Sequence, residues 1–123
     1  MNICSIPVSL GELYDKYSIL EIKSEKINDE HKLFEIKKEI NFLKPYIDKF
    51  NLSEEFKDKI KNVNLQLWNI EDNIRIKEKK NEFDNEFIQL ARDVYITNDE
   101  RAKIKNDINK YLNSEINEIK SYA

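Results

Sequence analysis

The chain is poor in residues that end or cross-link secondary structure. Its 123 residues include one glycine, two prolines and one cysteine. Because sheets need frequent turn residues, this shortage argues against a β-rich fold. The single cysteine, Cys4, cannot form an intrachain disulfide, which fits a reducing cytoplasm. The only histidine, His31, lies in a polar turn signal, so we expect Cys4 to be a small buried hydrophobic residue rather than a nucleophile.

Long apolar runs and an excess of one charge are also missing. No stretch of about 18 uninterrupted apolar residues occurs, and the N-terminus lacks a basic region, so membrane spanning and secretion are disfavoured. The formal net charge is −3, with both signs interspersed along the chain. A basic face that could follow a phosphate backbone does not stand out. We therefore expect a cytoplasmic protein with no nucleic-acid partner and no membrane partner.

Charged and apolar residues at helical spacing make up most of the sequence. Charged residues account for 37% of it and hydrophobic residues for 40%, which is typical of long solvated helices. The composition does not change along the chain, so we expect a single helical domain over residues 1–123. We predict an all-α fold, an antiparallel bundle of four to five helices. A short extended N-terminal lead-in should precede it, held by Ile6 and Val8 packing on the bundle.

Capping residues and breaks in the apolar pattern locate the first two helices. Ser9 can cap the first helix, with Glu12 reaching back as the other half of a capping box. This helix should end near Ile27. The second helix should begin at Asp29 or the next residue. Pro45 cannot donate a backbone hydrogen bond, so it should bend or break the second helix.

The rest of the chain predicts two or three further helices. The third, over Ser53–Lys80 with Ser53 as its cap, is expected to be the longest. A turn at residues 81–84 precedes the fourth. Thr97 and Glu100 form a second capping box, so a fifth helix should begin at Asn98. A last turn or short helix is expected near the C-terminus.

Charged side chains share helical faces in the first helix, in the third helix and around Thr97. If these stretches converge, they form a polar pocket between helices, a usual place for ligands in bundles. Arginine suits such a site because its planar fork binds carboxylate or phosphate through two bonds. The candidate ligand-binding residues are Lys16, Lys23, Arg75, Arg92, Tyr95, Asn98, Arg101 and Lys105. The candidate acid or base groups are Glu12, Glu71 and Asp72.

The same charges are also typical of surface ion pairs worth about 0.3 kcal/mol each, so two functions stay open. One is a binding or accessory module with a charged seam between its helices, whose partner is another protein or a second copy. The other is a small helical enzyme or binding protein for an anionic metabolite, such as a phosphorylated sugar or a dicarboxylate. No P-loop, dinucleotide fingerprint or Cys/His metal spacing occurs, so we expect no cofactor and no metal.

Four stretches of the chain form a set of sequence motifs: "IPVSLGELYDKYSILEIKSEKI", "LWNIEDNIRIKE", "FIQLARDVYITNDERAKIKNDIN" and "EIKSYA". Together they resemble a family of small bacterial and phage proteins classified as a domain of unknown function. The resemblance implies a surface-polysaccharide setting, because family members accompany glycosyltransferase and surface-polysaccharide genes. The chain departs from the family pattern at Leu10, where a proline is expected, and at Asn113, where a glycine is expected. The family's polar positions fall on Glu12, Asp15, Lys16, Glu21, Lys23, Glu71, Asp72, Arg75, Arg92, Asn98, Asp99, Arg101, Lys105, Glu118 and Lys120.

Overall fold

The computed structural model describes residues 2–121, and that part of the chain is an all-α helical bundle, as predicted. Its four helices are α1 (Leu10–Lys26), α2 (Glu30–Lys49), α3 (Glu54–Lys79) and α4 (Asn85–Tyr111). No strand occurs within residues 2–121. Over the same range, no helix is both long enough and apolar enough to cross a membrane.

Each helix begins at a side chain that caps its free N–H groups. The four caps are Ser9, Asp29, Ser53 and Asp84, and each accepts a hydrogen bond from the backbone N–H three residues later. The predicted caps at Ser9 and Ser53 are therefore confirmed. The carboxylate of Glu12 is bound to α4, where it accepts a hydrogen bond from Lys105.

Pro45 lies inside α2, which is continuous from Glu30 to Lys49. The predicted break at this residue is therefore wrong. Pro45 removes the hydrogen bond to the carbonyl of Asn41, and both residues are exposed. Water can satisfy a free carbonyl on an exposed helix face, which is why the helix continues. A bend of the helix axis at Pro45 stays a prediction.

α4 is one helix of 27 residues where the sequence predicted two. Thr97 is buried within it, so the predicted fifth helix beginning at Asn98 is wrong. Apolar side chains of α4 are half-buried before Thr97, at Leu90 and Val94, and buried after it, at Ala102 and Ile108. Packing on both sides of Thr97 outweighs the local capping signal. α4 is one residue longer than α3, which has 26, so the third helix is not the longest.

The ends of the chain also differ from expectation. Ile6 is 70% exposed and Val8 is 44% exposed, so the prediction that they hold the lead-in by packing is wrong. Cys4 is exposed rather than buried. The lead-in runs along an open groove between α1 and α2, where side chains keep much of their contact with water. Residues 114–121 form no helix.

α1 is the central helix, because it packs against α2, α3 and α4. Within the described chain, α2 makes no comparable helix packing with α3 or α4. α2 is tied to α1 by the hydroxyl of Tyr14, which donates to the carbonyls of Ile47 and Phe50 at 3.0 and 3.1 Å. The core cluster at this junction consists of Leu13, Tyr14, Ile47, Leu52, Ile60, Val63, Ile104 and Ile108.

α3 and α4 form an antiparallel hairpin. The Phe56 ring near the start of α3 lies 5.0 Å from the Tyr111 ring at the end of α4. At the opposite end, Lys77 Nζ of α3 lies 3.2 Å from the carboxylate of Glu86 in α4. The hairpin thus presents one long surface, and α1 packs on it.

Gly11 allows the start of α1 to approach α4 closely. Its N–H donates to Asn109 Oδ1 at 2.6 Å. A Cβ atom at this position would overlap the carbonyl oxygen of Lys105, a backbone atom held in α4. The next contact along, from Leu10 N–H to Ser114 Oγ at 3.1 Å, attaches α1 to the segment after α4. A side chain at position 11 would therefore push α1 away from α4.

Replacing Gly11 with alanine should lower the free energy of unfolding by about 2 kcal/mol, the usual cost of overpacking. Helix propensity alone predicts the opposite sign, a gain of about 1 kcal/mol. Urea denaturation measures the difference. Asn69→Ala, at an exposed position inside α3, is the control and should change stability by less than about 0.5 kcal/mol. A stabilised Gly11→Ala protein would contradict the close approach.

Candidate functional site

Two concavities border Glu12. One, here called the polar pocket, has a volume of about 350 Å³. The other, here called the apolar groove, lies between α1 and α2 and has a volume of about 990 Å³. The polar pocket is lined by Glu12, Asn98, Arg101, Ala102, Lys105, Glu118 and Lys120.

A buried ion pair lies beneath the polar pocket. Asp15 of α1 is 1% exposed. Arg101 of α4 binds both of its carboxylate oxygens, with Nε at 2.8 Å and Nη2 at 2.6 Å. Asn64 of α3 donates to the same carboxylate at 2.9 Å. The hydrogen bonds that Arg101 donates to Asp15 raise the pKa of Arg101, so the guanidinium stays charged in the fold.

Lys105 extends this ion pair into a network, here called the charged seam: Glu12, Asp15, Arg101, Lys105 and Glu118. The Nζ atom of Lys105 lies 2.6 Å from Glu12 and 2.9 Å from Glu118, and 3.9 Å from Asp15. Its side chain is 7% exposed. Burial lowers the pKa of Lys105, but hydrogen bonds to Glu12 and Glu118 outweigh burial and raise it overall. The buried lysine therefore remains cationic.

Both cations of the seam are already paired with carboxylates of the same chain. Two cations, Arg101 and Lys105, face three carboxylates. Next to the seam, Lys120 Nζ lies 3.2 Å from Asp99. An anion entering the polar pocket would therefore compete with a carboxylate that is already bound to these cations.

The remaining candidate residues lie elsewhere. Lys16 and Lys23 line the apolar groove, and Lys16 pairs with Glu39 of α2 at 2.8 Å. Arg75 forms an exposed pair with Glu71 within α3, at 3.8 Å. Three further candidates are exposed and do not line the polar pocket: Asp72, Arg92 and Tyr95. The structure thus brings Glu12, Asn98, Arg101 and Lys105 together and does not bring the others to them.

Sequence reasoning missed Asn64. This side chain is 5% exposed and donates to Asp15 and, at 2.8 Å, to Ser18 Oγ. Its signal was a polar residue inside an apolar stripe, four residues after Ile60 and three before Leu67. Such a residue is buried only where a partner satisfies its amide.

Comparison with known proteins identifies the family. A family model described as a family of unknown function (DUF6165) matches residues 4–123, so the chain belongs to this family. No curated protein and no solved structure matches it. Within residues 2–121, no group of three His, Cys, Asp or Glu side chains is arranged to hold a metal ion.

Replacing Arg101 with methionine should lower the free energy of unfolding by about 3 kcal/mol, because the Asp15 carboxylate would stay buried without its cation. Arg75→Met is the matched control. It breaks an exposed ion pair and should cost less than about 0.5 kcal/mol. Urea denaturation of both variants measures the contrast. If both variants lose the same free energy of unfolding, the buried ion pair stabilises the fold no more than an exposed pair does.

Lys105 should stabilise the fold in a pH-dependent way. Its pKa in the fold is raised above the ordinary 10.5, so its contribution is fully present below that pH and is lost as the pH rises through the folded-state pKa. The stability difference between the wild type and Lys105→Met should therefore be constant from about pH 7 to pH 9 and shrink above about pH 10.5. Urea denaturation across this range, with exposed Lys103→Met as the reference, measures it. A difference that widens at high pH would contradict the assignment.

Proposed function

We propose that the protein is a small cytoplasmic binding or accessory module, with no reaction of its own, whose charged seam holds the helices in one register. The observation that carries the proposal is that both cations of the seam are already bound by carboxylates of the chain. Arg101 and Lys105 are already bound by Asp15, Glu12 and Glu118 at hydrogen-bond distance. These side chains form ion pairs with one another, which is typical of a structural network rather than of a ligand-binding site.

The larger concavity supports the same proposal. The apolar groove carries exposed aromatic side chains, including Phe42 at 54% and Tyr46 at 59%. Clustered large apolar side chains at a protein surface are typical of interaction sites. The proposal therefore assigns the polar side of α1 to register and the α1–α2 side to a partner.

Binding of an anionic metabolite is the second candidate, and the polar pocket is the observation that favours it. Arg101, Lys105 and Lys120 line this pocket together with the Asn98 amide. A phosphorylated sugar or a dicarboxylate would have to displace Glu118, whose side chain is 40% exposed. The surface-polysaccharide setting implied by the resemblance is compatible with either candidate.

Titration calorimetry with inorganic phosphate and with succinate separates the two candidates. The proposed module should bind neither more tightly than about 1 mM. Glu118→Gln, which removes the competing charge while keeping the side chain's size, should leave this result unchanged. Binding in the micromolar range that Arg101→Ala abolishes, with the fold retained by circular dichroism, would contradict the proposal and establish the anion site.

A further inference from the structure

We propose that the polar pocket is a docking site for an extended peptide segment that carries a carboxylate and, two residues later, an ammonium group. In the isolated chain, residues 114–121, here called the strap, occupy this site themselves. The inference goes beyond the proposed module, because it adds a partner site on the α4 side of the bundle. Three observations carry it: the spacing of the strap's charges, the way the strap is attached, and the contacts that its removal breaks.

Two ion pairs attach the strap to α4 across the polar pocket. The carboxylate of Glu118 lies 2.9 Å from Lys105 Nζ, and Lys120 Nζ lies 3.2 Å from the carboxylate of Asp99. Asp99 precedes Lys105 by six residues, which is about 9 Å along a helix. Two residues of extended chain span about 7 Å, whereas two residues of helix span only about 3 Å. The strap, which has no helix or strand, therefore runs extended and antiparallel to α4.

Within residues 2–121, the strap lacks the backbone and core contacts that hold the helices. Beyond Ser114, none of its backbone groups forms a hydrogen bond with another backbone group of this range. Its two apolar side chains remain exposed to water, Ile116 by 43% and Ile119 by 90%. An attachment made of ion pairs without buried apolar surface opens at a low free-energy cost. The strap is therefore an exchangeable occupant of the polar pocket.

The contacts of the strap select an occupant that carries both signs of charge. When the strap leaves, Lys105 loses one of its carboxylates and Asp99 loses the ammonium group of Lys120. A phosphate or a dicarboxylate replaces only the first of these contacts and leaves Asp99 without that cation. A segment with a carboxylate and an ammonium group two residues apart replaces both contacts. The site therefore fits a partner segment with the charge pattern of the strap rather than a simple anion.

Nuclear magnetic resonance of the isotope-labelled full chain tests whether the strap is bound. In the wild type, the backbone order parameters of residues 115–121 should exceed about 0.6, the level below which a backbone is flexible. Glu118→Gln removes the charge that Lys105 binds, so these order parameters should fall below about 0.6. Glu115→Gln is the matched control in the same segment, because Glu115 is exposed and does not line the pocket. A strap that is flexible in the wild type, or that Glu118→Gln releases no more than Glu115→Gln does, overturns the inference.

A peptide copy of the strap, "SEINEIKS" with blocked ends, tests the docking site directly. The acceptor is the labelled full chain with Glu118→Gln and Lys120→Gln, whose own strap no longer competes. A tethered segment has an effective concentration of about 1 mM, so a segment that is bound when tethered should bind as a free peptide with a Kd of about 1 mM or less. Shifts of the amide signals of Asn98, Arg101 and Lys105 measure this binding.

The control peptide has its second glutamate and its lysine exchanged, so its composition is unchanged. It should bind at least about tenfold more weakly, because like charges would face Lys105 and Asp99. Equal binding of the two peptides, or no binding of the first at about 10 mM, overturns the docking site. Phosphate and succinate titrations remain the separate test of the proposed module, so the two proposals can fail independently.

Discussion

A buried carboxylate on α1 sets the position of that helix. Asp15 is 1% exposed, and a carboxylate so placed requires both a counter-charge and hydrogen bonds. Arg101 of α4 supplies the charge and Asn64 of α3 supplies a further donor. The two groups come from both helices of the hairpin, so α1 can satisfy its carboxylate in only one position. Since α2 is attached through α1, the placement of the whole bundle follows from this ion pair.

The same requirement limits what the polar pocket can do. A cation that neutralises a buried carboxylate is not available to a ligand, and Lys105 is similarly held by Glu12 and Glu118. Charged residues on the α1–α4 side therefore determine the register of the helices. Within residues 2–121, the α1–α2 side has no comparable buried network, and its apolar groove is open to solvent. In the proposed module, one face of α1 therefore fixes the helix register and the opposite face is open to a partner.

Much of the fold could be predicted from the sequence because its signals are local. Ser9 and Ser53 cap helices through their own hydroxyls, and the apolar stripes have the period of a helix. The capping box at Thr97 does not start a helix, because α4 packs against α3 on both sides of this residue. The departure at Asn113, where a glycine was expected, has a local cause. Its φ of 54° lies in the left-handed region, which asparagine tolerates better than most residues.

The site could be predicted only in part, because it depends on how helices are placed relative to one another. Glu12, Arg101 and Lys105 were found from helical faces, and they do share one pocket. Nothing local indicated that Lys16 lies on the other side of α1, in the groove, since the direction of α2 decides this. Asn64 was missed for the same reason: its role appears only when Asp15 of another helix lies beside it.

The most direct test of this account is a double-mutant cycle on the central ion pair. Asp15→Asn, Arg101→Gln and the double variant are unfolded in urea, and the coupling energy is calculated. The account predicts that the double variant loses less stability than the sum of the two single variants, with a coupling of at least about 2 kcal/mol. Losses that add to within about 0.5 kcal/mol would show that Asp15 and Arg101 act independently, and would contradict the claim that their pairing positions α1.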